Sequence, residues 1–167
     1  MKVEAFILMG TNMGDRVAHL DTACKTIGEK CGNIVKTSKL YESEPWGFDA
    51  KEWFINQIIC IKTVMTAELL LKELLDIEST MGRVRTEIHN GYSSRPIDLD
   101  IIYYGNEVIN QTELIIPHPR LQLRRFVLIP LCEIAPDMIH PVYKITNTKL
   151  LELCKDNSTV KLYKTES

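Results

Sequence analysis

The sequence is poor in the features that assign a protein at a glance. No apolar run approaches the ~20 residues that a bilayer-spanning helix needs, so a membrane-embedded class is not expected. The start, MKVEAFILMG, has one early lysine, a glutamate ahead of a short apolar run and a glycine behind it, which predicts no secretory signal peptide. The five cysteines (24, 31, 60, 132 and 154) include no CxxC, are odd in number and sit mostly in apolar stretches. That pattern argues against a zinc site or a disulfide framework and predicts reduced thiols in a cytoplasmic protein. The stretch GTNMGD at 10–15 fits neither GxxxxGK[ST] nor GxGxxG, excluding a Walker or a dinucleotide loop. Internal repeats, linkers and low-complexity tracts are missing. So is lysine between residues 73 and 143, although the chain has thirteen elsewhere.

What is present is a chain of 167 residues, 45% hydrophobic and 25% charged with a net charge of −2, which predicts one domain over 1–167 with a proper core. Its polar end, about 155–167, is expected to fray. Six of the seven arginines (83, 85, 95, 120, 124 and 125) fall in the lysine-free region. A guanidinium fork binds phosphate or carboxylate bidentately where an ammonium is a point charge, so the segregation suggests phosphate recognition; a solvated basic face is the plainer alternative.

Residues 2–9 read as a strand, followed by a helix opened by Asp15 with the stripe Leu20, Cys24, Ile27, Cys31. A second strand is expected over 34–41 and a third over FINQIICIKT at 54–63, after which Thr66 caps a helix with the stripe Leu70, Leu74, Ile77, Met81. A strand at 97–104 should turn through Gly105-Asn106 and pair with EVIN, and a short helix should cover 126–135. The order β-α-β-β-α-β predicts an α+β fold: a ferredoxin-like split βαβ core, an antiparallel sheet with helices packed on one face, extended by a hairpin and a C-terminal helix.

Within RPIDLDIIYYG, strand alternation puts Ile97, Leu99, Ile101 and Tyr103 on one face, and Asp98 and Asp100 together on the other. The two carboxylates are then roughly 7 Å apart and repel by about 2 kcal/mol at an effective dielectric of ~20. Bound Mg²⁺ would reverse that repulsion; two solvated carboxylates at a strand end are the alternative. With Arg83, Arg85, Arg95, Arg120, Arg124, Arg125 and His118 nearby in sequence, the pattern suits a polyphosphate and makes phosphoryl transfer the leading chemistry. Glu78 either bonds a ligand or edges a solvated helix. Phe54 and Asn56 share one strand face, and an aromatic beside an amide can stack on a flat heterocycle and read its edge, with Phe126 available for the opposite face. Gly10 and Gly14 are expected to permit a tight, mobile connection after the first strand.

Taken together, MGTNMGD (9–15), SEPWG (43–47), FIN (54–56), IESTMGRVR (77–85), RPIDLDIIYYGNEVIN (95–110), IPHPR (116–120) and RRFVLIPLCEIAP (124–136) resemble the 6-hydroxymethyl-7,8-dihydropterin pyrophosphokinases of folate biosynthesis. The resemblance implies transfer of pyrophosphate from ATP to the hydroxymethyl dihydropterin, with release of AMP. It implies two Mg²⁺ ions on Asp98 and Asp100, with Arg83 and Arg95 joining these acids as catalytic residues. ATP would be bound by Glu78, Arg83, Arg85, Arg95, Ile101, His118 and Arg124. The pterin would be stacked between Phe54 and Phe126, with Asn56 and the stretch Ser43, Glu44, Pro45 and Trp46 reading its edge. Three loops, at about 10–15, 43–53 and 83–95, would close over the site. The chain departs from the usual family pattern at HNGYSSRP, which bears on Tyr92, and at Phe54, where a tyrosine is common. Small molecules are the expected partners, with no nucleic acid or membrane, and the chain is expected to be a monomer. The competing readings are a Mg²⁺-dependent nucleotidyltransferase, which would release pyrophosphate, and a ferredoxin-like RNA-binding module, against which the net charge and the lack of RNP aromatics argue.

Overall fold

The computed structural model describes residues 2–44, 52–82 and 96–164. Strand β1 (Val3–Thr11) is an inner strand of the sheet, antiparallel to β4 (Phe54–Thr63) on one side and to β5 (Asp98–Tyr104) on the other. Between β1 and β4 come helix α1 (Arg16–Lys30) and two short strands, β2 (Asn33–Thr37) and β3 (Tyr41–Ser43), both pairing with β4. Helix α2 (Ala67–Thr80) links β4 to β5. The resulting order, β5-β1-β4-β3, is that of a split βαβ, with helix caps where the sequence predicts them. The Asp15 carboxylate accepts from the Ala18 amide at 3.1 Å, and the Thr66 hydroxyl from the Leu69 amide at 3.2 Å.

Elsewhere the structure corrects the expectations. The strand expected over 34–41 breaks in two because buried Ser38 bonds sideways: its hydroxyl accepts from the Ile58 amide at 3.0 Å and donates to the Lys39 carbonyl at 2.7 Å. EVIN does not pair with β5. The outer edge of β5 is already taken, by the Glu78 carboxylate at the Leu99 amide and by the His118 amide at the Ile102 carbonyl. The hairpin instead joins β6 (Ile109–Asn110) to β7 (Ile115–Ile116). Within β5 a bulge opposite Phe6 and Ile7 shifts the alternation. Tyr104, not Tyr103, therefore joins Ile97, Leu99 and Ile101, while Ile102 and Tyr103 lie on the opposite face.

Helices cover both faces rather than one. Against α1 and α2 lie Ala5, Ile7, Met9, Ile55, Ile59 and Leu99, all buried. Against Phe6, Leu8, Ile58 and Cys60 on the other face lie α3 (Arg125–Ile134), the expected short helix, and α4 (Asn147–Leu153), which periodicity over so short a segment does not reveal. Buried Asn147 ties this layer together, accepting from the Tyr103 hydroxyl at 2.7 Å and donating to the Ala135 carbonyl at 2.8 Å. The polar end of the chain does not simply fray: β8 (Val160–Leu162) pairs with β3, adding a strand to the sheet. Among the described residues no helix is long and apolar enough to cross a membrane.

Candidate active site

Strand register decides which side chains meet. Gly10 stands opposite both Asn56 and Asp98, Leu8 stands opposite Asp100, and Ser43 stands opposite Phe54. By alternation all of these belong to the face that α3 and α4 cover, but they lie at the end those helices leave open. The result is a cleft with about 490 Å³ of empty space including its mouth. Asp98 and Asp100 form one wall, Ser43, Glu44, Phe54 and Asn56 the other, and Arg124 and Phe126 at the start of α3 face the sheet. Asp98 and Asn56 are two strand spacings apart, about 10 Å, so an anionic group and a flat ring fit side by side.

At the acid wall, Glu78 is not a solvated edge, and together with Leu99 and Asp100 it lines a hollow beside that wall. It is 2% exposed, and its carboxylate accepts from the Leu99 amide at 2.7 Å, between the two aspartates. Ile101 is buried with the α1 and α2 core, which leaves only its main chain for a ligand. His118 follows the cis Ile116–Pro117 bond, and its Nδ1 accepts from the Arg120 amide at 3.1 Å, so a neutral ring carries its proton on Nε2. Burial, helped by the Arg124 charge and opposed by Asp98, pushes the His118 pKa down to about 4. Arg124 is 7% exposed, with its guanidinium carbon 5.6 Å from the centroid of the Phe126 ring.

At the amide wall, Asn56 Nδ2 donates to Ser43 Oγ at 2.8 Å, and both residues are buried. A Cβ at position 10 would stand 2.7 Å from Asn56 Oδ1, so any larger residue there would displace the Asn56 amide. Gly10, expected in a mobile connection, is instead a sheet residue in the cleft wall. Neither it nor Leu8 is among the expected site residues, although the parity that finds Asp98 and Asn56 extends to β1 as well. Glu44 turns its carboxylate to the Thr159 amide at 2.9 Å. Arg83, Arg85, Arg95, Tyr92, Pro45 and Trp46, with most of the second and third expected loops, lie outside the described residues. The five cysteines are free, and burial pushes Cys31, Cys60 and Cys132 up to about 11, well away from thiolate chemistry.

The sheet order and the cleft define an α+β protein with a half-acidic, half-aromatic pocket on the open end of its sheet. Residues 6–136 match the family model of 7,8-dihydro-6-hydroxymethylpterin-pyrophosphokinase, and the chain belongs to that family. The 2-amino-4-hydroxy-6-hydroxymethyldihydropteridine pyrophosphokinase of Haemophilus influenzae is 37% identical over 161 residues, covering 96% of this chain and 98% of the relative. That of Aquifex aeolicus is 35% identical over 156 residues, or 93% and 92%. The folic acid synthesis protein fol1 of Pneumocystis carinii is 40% identical over 91% of this chain, which spans only 20% of that longer protein. In fold, the chain superposes with a TM-score of 0.73 on the HPPK-DHPS of Plasmodium falciparum, at 17% identity, covering 91% of this chain and 44% of that one. The family match selects the pyrophosphokinase reading over the nucleotidyltransferase and the nucleic-acid-binding module.

Proposed function

We propose that this chain transfers the β,γ-pyrophosphate of ATP to the hydroxymethyl oxygen of 6-hydroxymethyl-7,8-dihydropterin, giving the dihydropterin diphosphate and AMP in folate synthesis. The observation that carries this reading is the convergence, in one cleft, of Asp98 and Asp100 with Phe54, Asn56 and Phe126. Phe54 and Phe126 would stack on the ring, while Asn56, Ser43 and main-chain groups of 43–46 read its polar edge. On the acid side, Arg124 and the Nε2–H of His118 would bond phosphate oxygens, and the main chain of Ile101 would meet the nucleotide. By family resemblance Arg83, Arg85 and Arg95 would contribute to the same phosphate site. Glu78, by bonding the Leu99 amide, would hold the acid-bearing strand end against its own charge repulsion.

Mg²⁺ fits the donor set: two carboxylates on one strand face offer hard oxygens, and Mg²⁺ at ATP sites takes one or two carboxylates with substrate phosphates as its remaining partners. Asp98 and Asp100 would hold two ions, which supply charge neutralisation and alignment of the phosphates. The nucleophile is a primary alcohol, so positioning and electrostatics would carry most of the rate, and the Asp98 carboxylate would accept the hydroxyl proton. Burial of the ring and phosphates limits water, the competing nucleophile. The same reading makes 1–167 one domain, monomeric and cytoplasmic. With Mg²⁺, ATP and the hydroxymethyl dihydropterin, AMP should form in proportion to pterin consumed; ADP or free pyrophosphate in that proportion would overturn the proposal.

A further inference from the structure

Arg16 is the one arginine outside the 83–125 cluster, and the proposed pyrophosphoryl transfer does not use it. It opens α1 directly after the Asp15 cap, and its side chain is 16% exposed. Its Nη1 donates to the Trp53 carbonyl at 2.8 Å and to Glu42 Oε2 at 3.1 Å. Nη2 pairs with Glu52 at 3.6 Å, and the guanidinium carbon stands 5.6 Å from the centroid of the Tyr163 ring.

These partners adjoin the cleft. Glu42 precedes Ser43 and Trp53 precedes Phe54; Ser43 and Phe54 face each other on the last rung between β3 and β4, and both line the cleft. One guanidinium therefore grips both strands one residue away from the pair that forms the amide wall. Strand β8 supports the same two residues, with Lys161 Nζ 3.7 Å from Glu42 Oε1 and 5.3 Å from the centroid of the Trp53 ring. An exposed ion pair contributes little, but a charge-assisted bond to a main-chain carbonyl fixes backbone position as well as charge. A lysine, as a point charge, would not reproduce that fork.

We propose that Arg16 is a positioning residue for the heterocycle end of the cleft. By holding Glu42 and the Trp53 carbonyl it sets Ser43 against Phe54, and so governs affinity for the dihydropterin while leaving affinity for ATP alone. The inference rests on the pyrophosphokinase reading. Steady-state AMP formation by the wild type, Arg16→Ala, Arg16→Lys and Glu42→Gln tests it.

Arg16→Ala should raise KM for the dihydropterin about tenfold, the size of one charge-assisted bond, with KM for ATP within about twofold and kcat within about threefold. Arg16→Lys should recover part of the loss, and Glu42→Gln, which keeps the shape of the acceptor, should raise the same KM by about threefold. An unchanged dihydropterin KM in Arg16→Ala, or an equal rise for both substrates, overturns the positioning role. If Arg16→Ala fails to fold, the split between the two KM values in Arg16→Lys and Glu42→Gln decides in the same way. An active wild type with unaltered variants removes this inference alone, whereas an inactive wild type overturns the underlying function and this role with it.

Discussion

The two faces of the sheet share the same strands but are covered to different extents. On the α1 and α2 side, Ala5, Ile7, Met9 and Thr11 of β1 are all buried, so helices protect the strand along its whole length. On the other side Phe6 and Leu8 are buried beneath α3 and α4, and the row then continues as Gly10 with Asp98 and Asn56 beside it, where only Arg124 and Phe126 at the start of α3 reach. One face is structural throughout; the other is structural for half its length and becomes the cleft where the cover stops. A polar residue in the first face costs stability, whereas in the open half of the second it can meet a ligand.

Substitutions can break that comparison. The largest expected effect is on the open half: Asp100→Ala should lower turnover by about 10³-fold, as removal of a key electrostatic group does, with the thermal midpoint nearly unchanged. Turnover near wild type would remove the metal assignment. On the closed face, Leu74→Ala should cost about 3 kcal/mol in urea unfolding while the folded fraction keeps its KM values, because Leu74 is fully buried against the sheet and far from the ligand row. A loss under 1 kcal/mol would show that this face is less tightly packed than its burial implies.

Gly10→Ala lies between these cases. The added methyl would crowd Asn56 Oδ1, and overpacking of this kind costs about 1–3 kcal/mol. We expect the dihydropterin KM to rise about tenfold, more than any change in KM for ATP. Equal changes in both would mean that Asn56 does not belong to the heterocycle wall.

The smallest effect concerns pH, in the layer of α3 and α4. His140 is buried, its Nδ1 accepts from the Val142 and Tyr143 amides at 3.1 Å each, and burial lowers its pKa below the ordinary 6.5. The unfolded chain then binds the proton more tightly than the folded one. The stability contributed is complete above about 6.5 and is lost as pH falls from there through the folded pKa. Urea midpoints between pH 7.5 and pH 5 should decline in the wild type and decline less in His140→Gln. Parallel declines would assign the effect to other groups.

Legibility in the sequence divides along the same line. The closed face is legible because long helices and strands repeat their apolar residues at periods of 3.6 and 2, and the caps Asp15 and Thr66 declare themselves. The acids and the Phe54–Asn56 pair are legible by strand parity. Three features of the fold, and two side-chain roles, are not. Ser38 breaks a strand by a hydroxyl bond to a residue twenty positions away, the bulge in β5 moves Tyr103 and Tyr104 between faces, and α4 is too short for its period to register. The burial of Glu78 does not show, because nothing local tells that the Leu99 amide needs its carboxylate. Arg16 draws no notice because its partners, Glu42, Trp53 and Tyr163, are all distant in sequence.

In the proposed reaction, phosphates held at the acid wall would pass, two together, to an alcohol held at the amide wall. ATP labelled in its β-phosphate tests it most directly, with Mg²⁺ and the hydroxymethyl dihydropterin present and the products separated. The label should appear in the dihydropterin diphosphate, mole for mole with unlabelled AMP. Label in ADP or in free pyrophosphate would contradict the account.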